Sequence, residues 1–461
     1  MALSEDRSFM GVENIPRLMV RFAAPALVAM FANALYNIVD RIFVGQIVGP
    51  GGIAAIAVSF PCMLFFTCVA TLIGAGAASR VSILMGEGRR EDAERTLGSS
   101  ITLALVCGAL LTIFAWYNFG RILVMSGASA TVYPGAAEYL SHIIYGIIFG
   151  ILSFSISYQI RACGSPSYAM GTQIIGAVSN IALDALFVMG LGMGVRGAAI
   201  ATVISQGISL VWALAYFKLP RAGLGLRLKY IVHPNPSAIA RIFAVGTPAS
   251  LVQLNFVFVH AMITNASNTY GGDLAVSATG IFMSLDSLLF MPAVALGDAC
   301  APIIGYNYGA GKIERIVDTV KKGILITTVF YLLSFFVIMF NAPSLVKMFN
   351  SSDEELINLT AACMRYANIC IPVMSVSIIC SSFLQGLGMG RTGLALAFVR
   401  LGLFLWIPLL ILPRYFGLFG AWGSFPVSDI GGTIASFIVM TYTIKRLRRE
   451  ASKRNGTLAS S

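Results

Sequence analysis

Asp40 and Asp184 stand in runs that otherwise hold nothing ionisable: Ala34-Leu35-Tyr36-Asn37-Ile38-Val39-Asp40 and Asn180-Ile181-Ala182-Leu183-Asp184-Ala185-Leu186. A carboxylate at membrane depth costs a few kcal/mol or more, so it is rare there and marks an ion or substrate path. Each has polar company on its own helical face. Tyr36 and Asn37 precede Asp40 by four and three residues, and Asn180 precedes Asp184 by four. Carboxyls kept from water and grouped with an amide and hydroxyls can take up and release a proton near neutral pH, or offer oxygens to a small cation. The structural alternative is a pair of helix-packing carboxylates hydrogen-bonded to their neighbours.

The elements that must position these residues are membrane helices. The chain is 57% hydrophobic and 11% charged with a mean hydropathy of +0.83, where a soluble domain carries about 25% charged residues. Its 461 residues suffice for many spans of about 20 apolar residues each. The net charge of +11 does not point to nucleic acid, because the basic residues lie in short loops and do not interleave with aromatics. The eight cysteines show no C-x-x-C and no metal-ligand spacing, so they imply neither a disulfide framework nor a zinc site. Glu5, Asp6 and Glu13 stand where a signal peptide would be basic, and the first apolar segment is expected to remain in the mature protein.

Twelve apolar segments run near 17–43, 53–79, 97–118, 135–160, 168–191, 197–217, 243–265, 276–301, 323–341, 361–385, 393–412 and 418–444. None alternates with the period of a barrel strand, so the expected fold is all-α integral membrane with twelve transmembrane helices in two pseudo-symmetric six-helix lobes. Of 31 Lys and Arg, 24 fall at the N-terminus, in every second loop and in the tail. The opposite side and its edges hold Arg41, Arg121, Arg196, Lys347 and Arg414, while Arg365 and Arg400 fall inside segments. That asymmetry predicts both termini in the cytoplasm. The expected domains are an N-lobe at 1–217, a cytoplasmic linker at 218–241, a C-lobe at 242–444 and a basic tail at 445–461.

The halves are repeats. An offset of 223 places Pro25 on Pro248, Gly74 on Gly297, Gly86 on Gly309, Gly88 on Gly311, Thr96 on Thr319 and Gly197 on Gly420. Six spans per repeat keep the two halves in one orientation, an arrangement found in several secondary transporters, and a central cavity between the lobes is the expected substrate site. Asp40 and Asp184 map onto Ile263 and Ile407, so the C-half lacks both. Its own candidates are Asp286, Asp429 and His260, the last matching Asn37. Asp298 is expected to be solvated near a helix end, and Arg400 requires a counter-ion, for which any of these acids would serve.

Other motifs fail on context. Gly192-Met193-Gly194-Val195-Arg196-Gly197 matches G-x-G-x-x-G but joins two apolar helices, with no strand before it and no acidic residue between Asp184 and Asp273. Gly311-Lys312 continues with Ile313, so no phosphate-binding P-loop supplies ATP hydrolysis. His142, His233 and His260 are scattered, with no nucleophile constellation. The Asn-x-Ser/Thr matches at Asn265, Asn350, Asn358 and Asn455 have meaning only in a eukaryotic secretory host.

The run from Pro25 through Leu35-Tyr36-Asn37-Ile38-Val39-Asp40-Arg41-Ile42-Phe43-Val44-Gly45 resembles the first helix of multidrug and toxic compound extrusion (MATE) transporters. Pro302-Ile303-Ile304-Gly305-Tyr306-Asn307-Tyr308-Gly309-Ala310-Gly311 is similar to the signature of their eighth helix and following loop. The resemblance covers essentially the whole chain, and the carboxylates confined to one lobe point to the DinF-like branch. It implies an N-lobe cation or proton site at Asp40, Asn180, Asp184 and Thr202, with Tyr36 and Tyr139 close by. Asp298 and the following Cys300-Ala301 depart from relatives that carry Gln near the corresponding loop.

The implied activity is antiport: export of organic, often cationic, xenobiotics against H⁺ or Na⁺, by a monomer in the bilayer with no other cofactor. The two acids would titrate as a coupled pair, and both ions remain open, with Asp40, Asn180, Asp184 and Thr202 as oxygen ligands for Na⁺. Pro25 lacks an N–H, so bending of the first helix can report the state of Asp40. Met and aromatic side chains are expected to line an adaptable cavity. A lipid-linked oligosaccharide flippase of the same superfamily would show a markedly cationic cavity and often extra helices, and a channel or scaffold would not need paired carboxylates in one lobe.

Overall fold

The structure is a computed structural model, described over residues 9–349 and 353–459, without the side chains of Arg221 and 454–459. Glu5, Asp6 and Asn350, and the side chain of Asn455, lie outside that description. No strand occurs among the described residues. Among the described residues, nine helices are long and apolar enough to cross a membrane, and a tenth span is bent by 41° between Glu354–Ala367 and Ile371–Gly386.

Two of the nine are double. Inside Pro236–Gly309 the backbone of Gly272 leaves the helix at φ 63°, ψ −162°. Ser267 Oγ and Thr279 Oγ1 hydrogen-bond at 2.8 Å across this point, whereas twelve residues along a straight helix span about 18 Å. The chain therefore reverses at one residue. Gly417 does the same at φ 56°, ψ −136°, where Gly420 returns against the Leu412 carbonyl. Only glycine populates such angles without strain. With each hairpin counted as two, the spans number twelve. The helices overrun the segments read from hydropathy because amphipathic turns continue them past the apolar stretch, as in Pro50–Gly86 and Arg90–Met125.

The repeat reappears in the turns. Every described residue with positive φ is a glycine, and Gly49 and Gly272, Gly88 and Gly311, and Gly194 and Gly417 are pairs at the offset of 223.

The chain packs as two compact units, one holding Ala24–Leu254 and the other Gly11–Ala23 with Asn255 onward. The first has one continuous core reaching from Val44 to Ile242, with the buried Tyr139, Ile151, Ile156 and Tyr216 at its centre. The start of the seventh span belongs to it because glycines permit backbone contact: a Cβ on Gly246 would overlap the Leu72 carbonyl, and one on Gly76 the Ile242 carbonyl. The connection before that span is pinned by Tyr230 Oη donating to Glu91 (2.9 Å), Gly225 N donating to Glu94 (2.9 Å) and Arg227 pairing with Glu94 (2.8 Å). In the second unit, residues leading into the first span are held in the same manner. Lys312 Nζ donates to the Gly11 carbonyl at 2.9 Å and Arg315 to that of Glu13 at 2.7 Å. Its core gathers around Phe282, Ile338, Cys363 and Trp422. Large apolar side chains such as Leu110, Phe114, Leu333 and Phe437 are more than half exposed, as lipid-facing positions must be.

Candidate functional site

Asp40 sits in the first span, Ile15–Ile47, which also contains Pro25, and Asp184 closes the α-helical part of the fifth, Pro166–Asp184. Beyond Asp184 the ladder widens to a π-helix over Ala185–Gly190, a local irregularity that gathers at functional sites. Both acids are buried, at 6% and 0% exposure, and their carboxyls lie within hydrogen-bonding reach of each other. Two carboxylates have no proton to donate. Accordingly Asp40 Oδ1 and both carboxylate oxygens of Asp184 are buried without a donor, and Asn180 Oδ1 is a fourth such oxygen. Each unmet acceptor costs about 1–3 kcal/mol, more when charged. A shared proton or a bound Na⁺ relieves that cost, since both supply positive charge to acceptors that have none.

The other predicted members surround this pair. Asn180 Nδ2 donates to Thr202 Oγ1 at 3.4 Å, tying the fifth span to the sixth. Tyr36 is half-buried and within electrostatic reach of both acids. Tyr139, buried, is within reach of the same two acids and donates its hydroxyl to Met63 Sδ at 4.0 Å. Asn37 faces along its own helix, donating to the Asn33 carbonyl at 2.8 Å. Pro25 removes one rung of the first span, two residues after the boundary between the units.

Beside the acids lies a cavity of about 180 Å³ lined by Asn33, Tyr36, Met63, Asn180, Thr202 and Gln206 among others, none of them charged. A drug-sized site needs about 300 Å³ or more, so this space suits water and an ion. Sequence reasoning missed Asn33, Gln173 and Gln206 there. The signal was present: Thr202, Ser205, Gln206 and Ser209 form a polar stripe at helical spacing on an otherwise apolar span.

In the second unit, Asp286 and Asp429 are half-buried, and each is within electrostatic reach of the other's neighbourhood around Tyr331. Arg400 lies on a second π-helix, Val399–Trp406. It donates to Ser381 Oγ at 3.0 Å and to the Ser377 carbonyl at 3.5 Å. The counter-ion anticipated for it is an electrostatic neighbour, Asp429, and no ion pair joins them among the described residues. His260 is exposed, its ring 6.2 Å from that of Phe256, and does not share the setting of Asn37. Asp298 is half-buried and engaged with a neighbour, where solvation was expected. No group of three His, Cys, Asp or Glu able to hold a metal occurs among the described residues.

The sequence model of the MatE family matches residues 25–186 and again 248–410, its two starts separated by the same 223 residues as the glycine pairs. The chain belongs to the MatE family. Among its relatives, the multidrug export protein MepA of Staphylococcus haemolyticus (strain JCSC1435) is 25% identical over 427 residues, 93% of each chain. MepA of Staphylococcus aureus (strain MSSA476) is 22% identical over 437 residues, 95% of this chain and 96% of that one. Among solved structures, a MATE in the bent conformation superposes with a TM-score of 0.91 at 23% identity, covering 97% of this chain and 99% of that one. A MOP superfamily transporter from Pyrococcus furiosus Vc1 (DSM3638) gives 0.88 at 24%, covering 95% and 98%. These likenesses establish the twelve-span fold. This MatE-family protein is a multi-pass membrane transporter and not an enzyme.

Proposed function

We propose that this protein is a secondary active exporter of organic, often cationic, xenobiotics, driven by inward movement of H⁺ or Na⁺ through alternating access. The observation that carries this reading is the set of four buried acceptor oxygens on Asp40, Asp184 and Asn180 that lack any donor. With a proton shared between the acids, or Na⁺ among the oxygens of Asp40, Asn180, Asp184 and Thr202, the demand is met. After the ion departs, like charges face each other and the site relaxes by changing shape. Tyr36 and Tyr139 border the acids, and bending at Pro25 carries the change along the first span. The name of the MepA relatives supports the multidrug substrate class. Arg365 and Arg400 are the basic residues that fall inside the apolar segments, and so few favour this reading over a flippase for anionic lipid-linked sugars. The Asp40 and Asp184 pair, replaced by Ile263 and Ile407 in the second repeat, fits the DinF-like branch.

The working membrane is the cell membrane with both termini cytoplasmic, by the asymmetry of basic loops. Single cysteines at Ser126 and Ser452 should label from outside and only from inside, respectively; labelling of both from one side refutes this topology. Function is tested in liposomes by imposing a pH or Na⁺ gradient and following efflux of an organic cation. Wild-type protein should couple one gradient to efflux, and Asp40→Asn and Asp184→Asn should each abolish coupling while still reaching the membrane. The amide is close in volume, so packing is preserved. Wild-type ion dependence in both variants would place the ion elsewhere.

A further inference from the structure

A second cavity, of about 130 Å³, opens in the first unit where the second span ends and the third and seventh begin. Arg80, Arg89, Arg95 and Arg241 line it, with Asp92 as the single acid. Two of these arginines are already paired. Arg89 meets Glu87 at 3.1 Å and Asp92 at 2.7 Å, and Arg95 meets Glu91 at 2.8 Å. Arg80 is half-buried and Arg241 stands within its electrostatic field. Neither has a hydrogen bond or ion pair among the described residues. The acids near Arg80 are Glu87 and Asp92, both engaged by Arg89. Two guanidinium groups thus face one small space with ten N–H donors, where the single carboxylate is already engaged by Arg89, and mutual repulsion opposes their approach. Asn235 lines the same space. Its Oδ1 is spent on Ser237 N at 3.0 Å and Ser237 Oγ at 2.9 Å, leaving its amide N–H groups as further donors.

We propose that this cavity binds a phosphate group, the moiety shared by anionic phospholipid headgroups and free phosphate, between Arg80 and Arg241. Planar guanidinium forks bind phosphate oxygens bidentately. The room, roughly that of four waters at about 30 Å³ each, fits one such group. The position, where apolar spans give way to charged loops, is the depth at which headgroup phosphates lie. Bound there, the anion fastens the start of the seventh span to the end of the second and the start of the third. The second unit has no counterpart: Arg80 maps onto the fully buried Ile303, and Arg89 onto Lys312, whose ammonium is taken by the Gly11 carbonyl.

The test is thermal unfolding of the full-length protein in neutral detergent with added phosphatidylglycerol, phosphatidylcholine or inorganic phosphate. Phosphatidylglycerol should raise Tm more than phosphatidylcholine. Arg80→Gln and Arg241→Gln should each lose most of that shift, binding about tenfold or more weakly as charge-assisted hydrogen bonds are removed. Arg80→Lys, which keeps the charge but not the fork, should retain part of it. Arg446→Gln, whose partner is Glu450 in the tail, should retain all of it. A shift from inorganic phosphate equal to that from the lipid supports the site with the free ion as its source, and a shift from the lipid alone supports the lipid. A full shift in both glutamine variants, or equal shifts from both lipids with inorganic phosphate inert, overturns the proposal. Should Arg80→Gln fail to fold, the exposed Arg241 carries the same test.

Discussion

Each unit of this transporter places a pair of acids inside membrane spans, and the two pairs are in opposite circumstances. Asp40 and Asp184 are buried against each other without a donor or a paired base. Asp286 and Asp429 are half-buried, with the guanidinium of Arg400 in the electrostatic neighbourhood of Asp429, itself anchored by Ser377 and Ser381. The two pairs stand at different positions of the repeat: at the offset of 223, Asp40 and Asp184 match Ile263 and Ile407, and Asp286 and Asp429 match Met63 and Gln206. Arg400 is held inside the second unit by two serines beside Asp429, whereas the cation near the first pair, Arg41, is exposed and leaves the buried carboxylates a demand that an exchangeable ion can meet. Under the proposed function, coupling chemistry belongs to the first unit and the cluster around Arg400 in the second stays outside the transport cycle.

The comparison breaks most sharply if a fixed cation is installed in the first site. Asn180→Lys, pointing into a space already open to water, should abolish ion-coupled efflux and remove the dependence of Tm on pH or Na⁺; retained coupling would show that the acids are not the ion site. Next, Arg400→Gln should lower stability by about 1–3 kcal/mol, less than the loss for a tight buried pair, while coupling survives. Loss of coupling in a well-folded Arg400→Gln, or in Asp429→Asn, would make the second cluster part of the transport cycle. Thr202→Ala should weaken the ion by about threefold to tenfold, the value of one neutral ligand or hydrogen bond, with Thr202→Ser restoring it; flux measured against ion concentration separates these. The smallest effect contrasts two buried tyrosines. The Tyr331 hydroxyl has no partner, so Tyr331→Phe should raise stability by up to about 1 kcal/mol, and Tyr139→Phe, which gives up a contact with Met63, should not.

The spans, the repeat and the acids were legible in the sequence because each is a local or periodic signal: an apolar run, a constant offset, a charge where none belongs. Exchange of the span starts was not. That residues 236–254 pack with the first unit depends on glycine contacts at 76 and 246, which read in sequence as ordinary helix glycines, and that Gly11–Ala23 packs with the second depends on Lys312 and Arg315 reaching the Gly11 and Glu13 carbonyls. The apolar segments seven and eight stop at 265 and resume at 276, but the helices run on to Gly272. The π-helices beside Asp184 and Arg400 carry no residue signature at all. Arg400 was recognisable as needing company, yet its serine partners follow from the direction its side chain takes, which the backbone decides.

Reversal of the chain at Gly272 and Gly417 leaves those ends of the second unit without a loop. A protease needs several extended residues to seat a substrate, and an inserted tag needs slack on both flanks; neither exists around a single residue between two helices. Limited digestion should therefore spare both places and cut instead where turns span several residues, as between Met125 and Tyr133. For anyone wishing to mount a reporter or raise a conformation-sensitive binder, the turn between Met125 and Tyr133 offers a handle that the reversals at Gly272 and Gly417 do not.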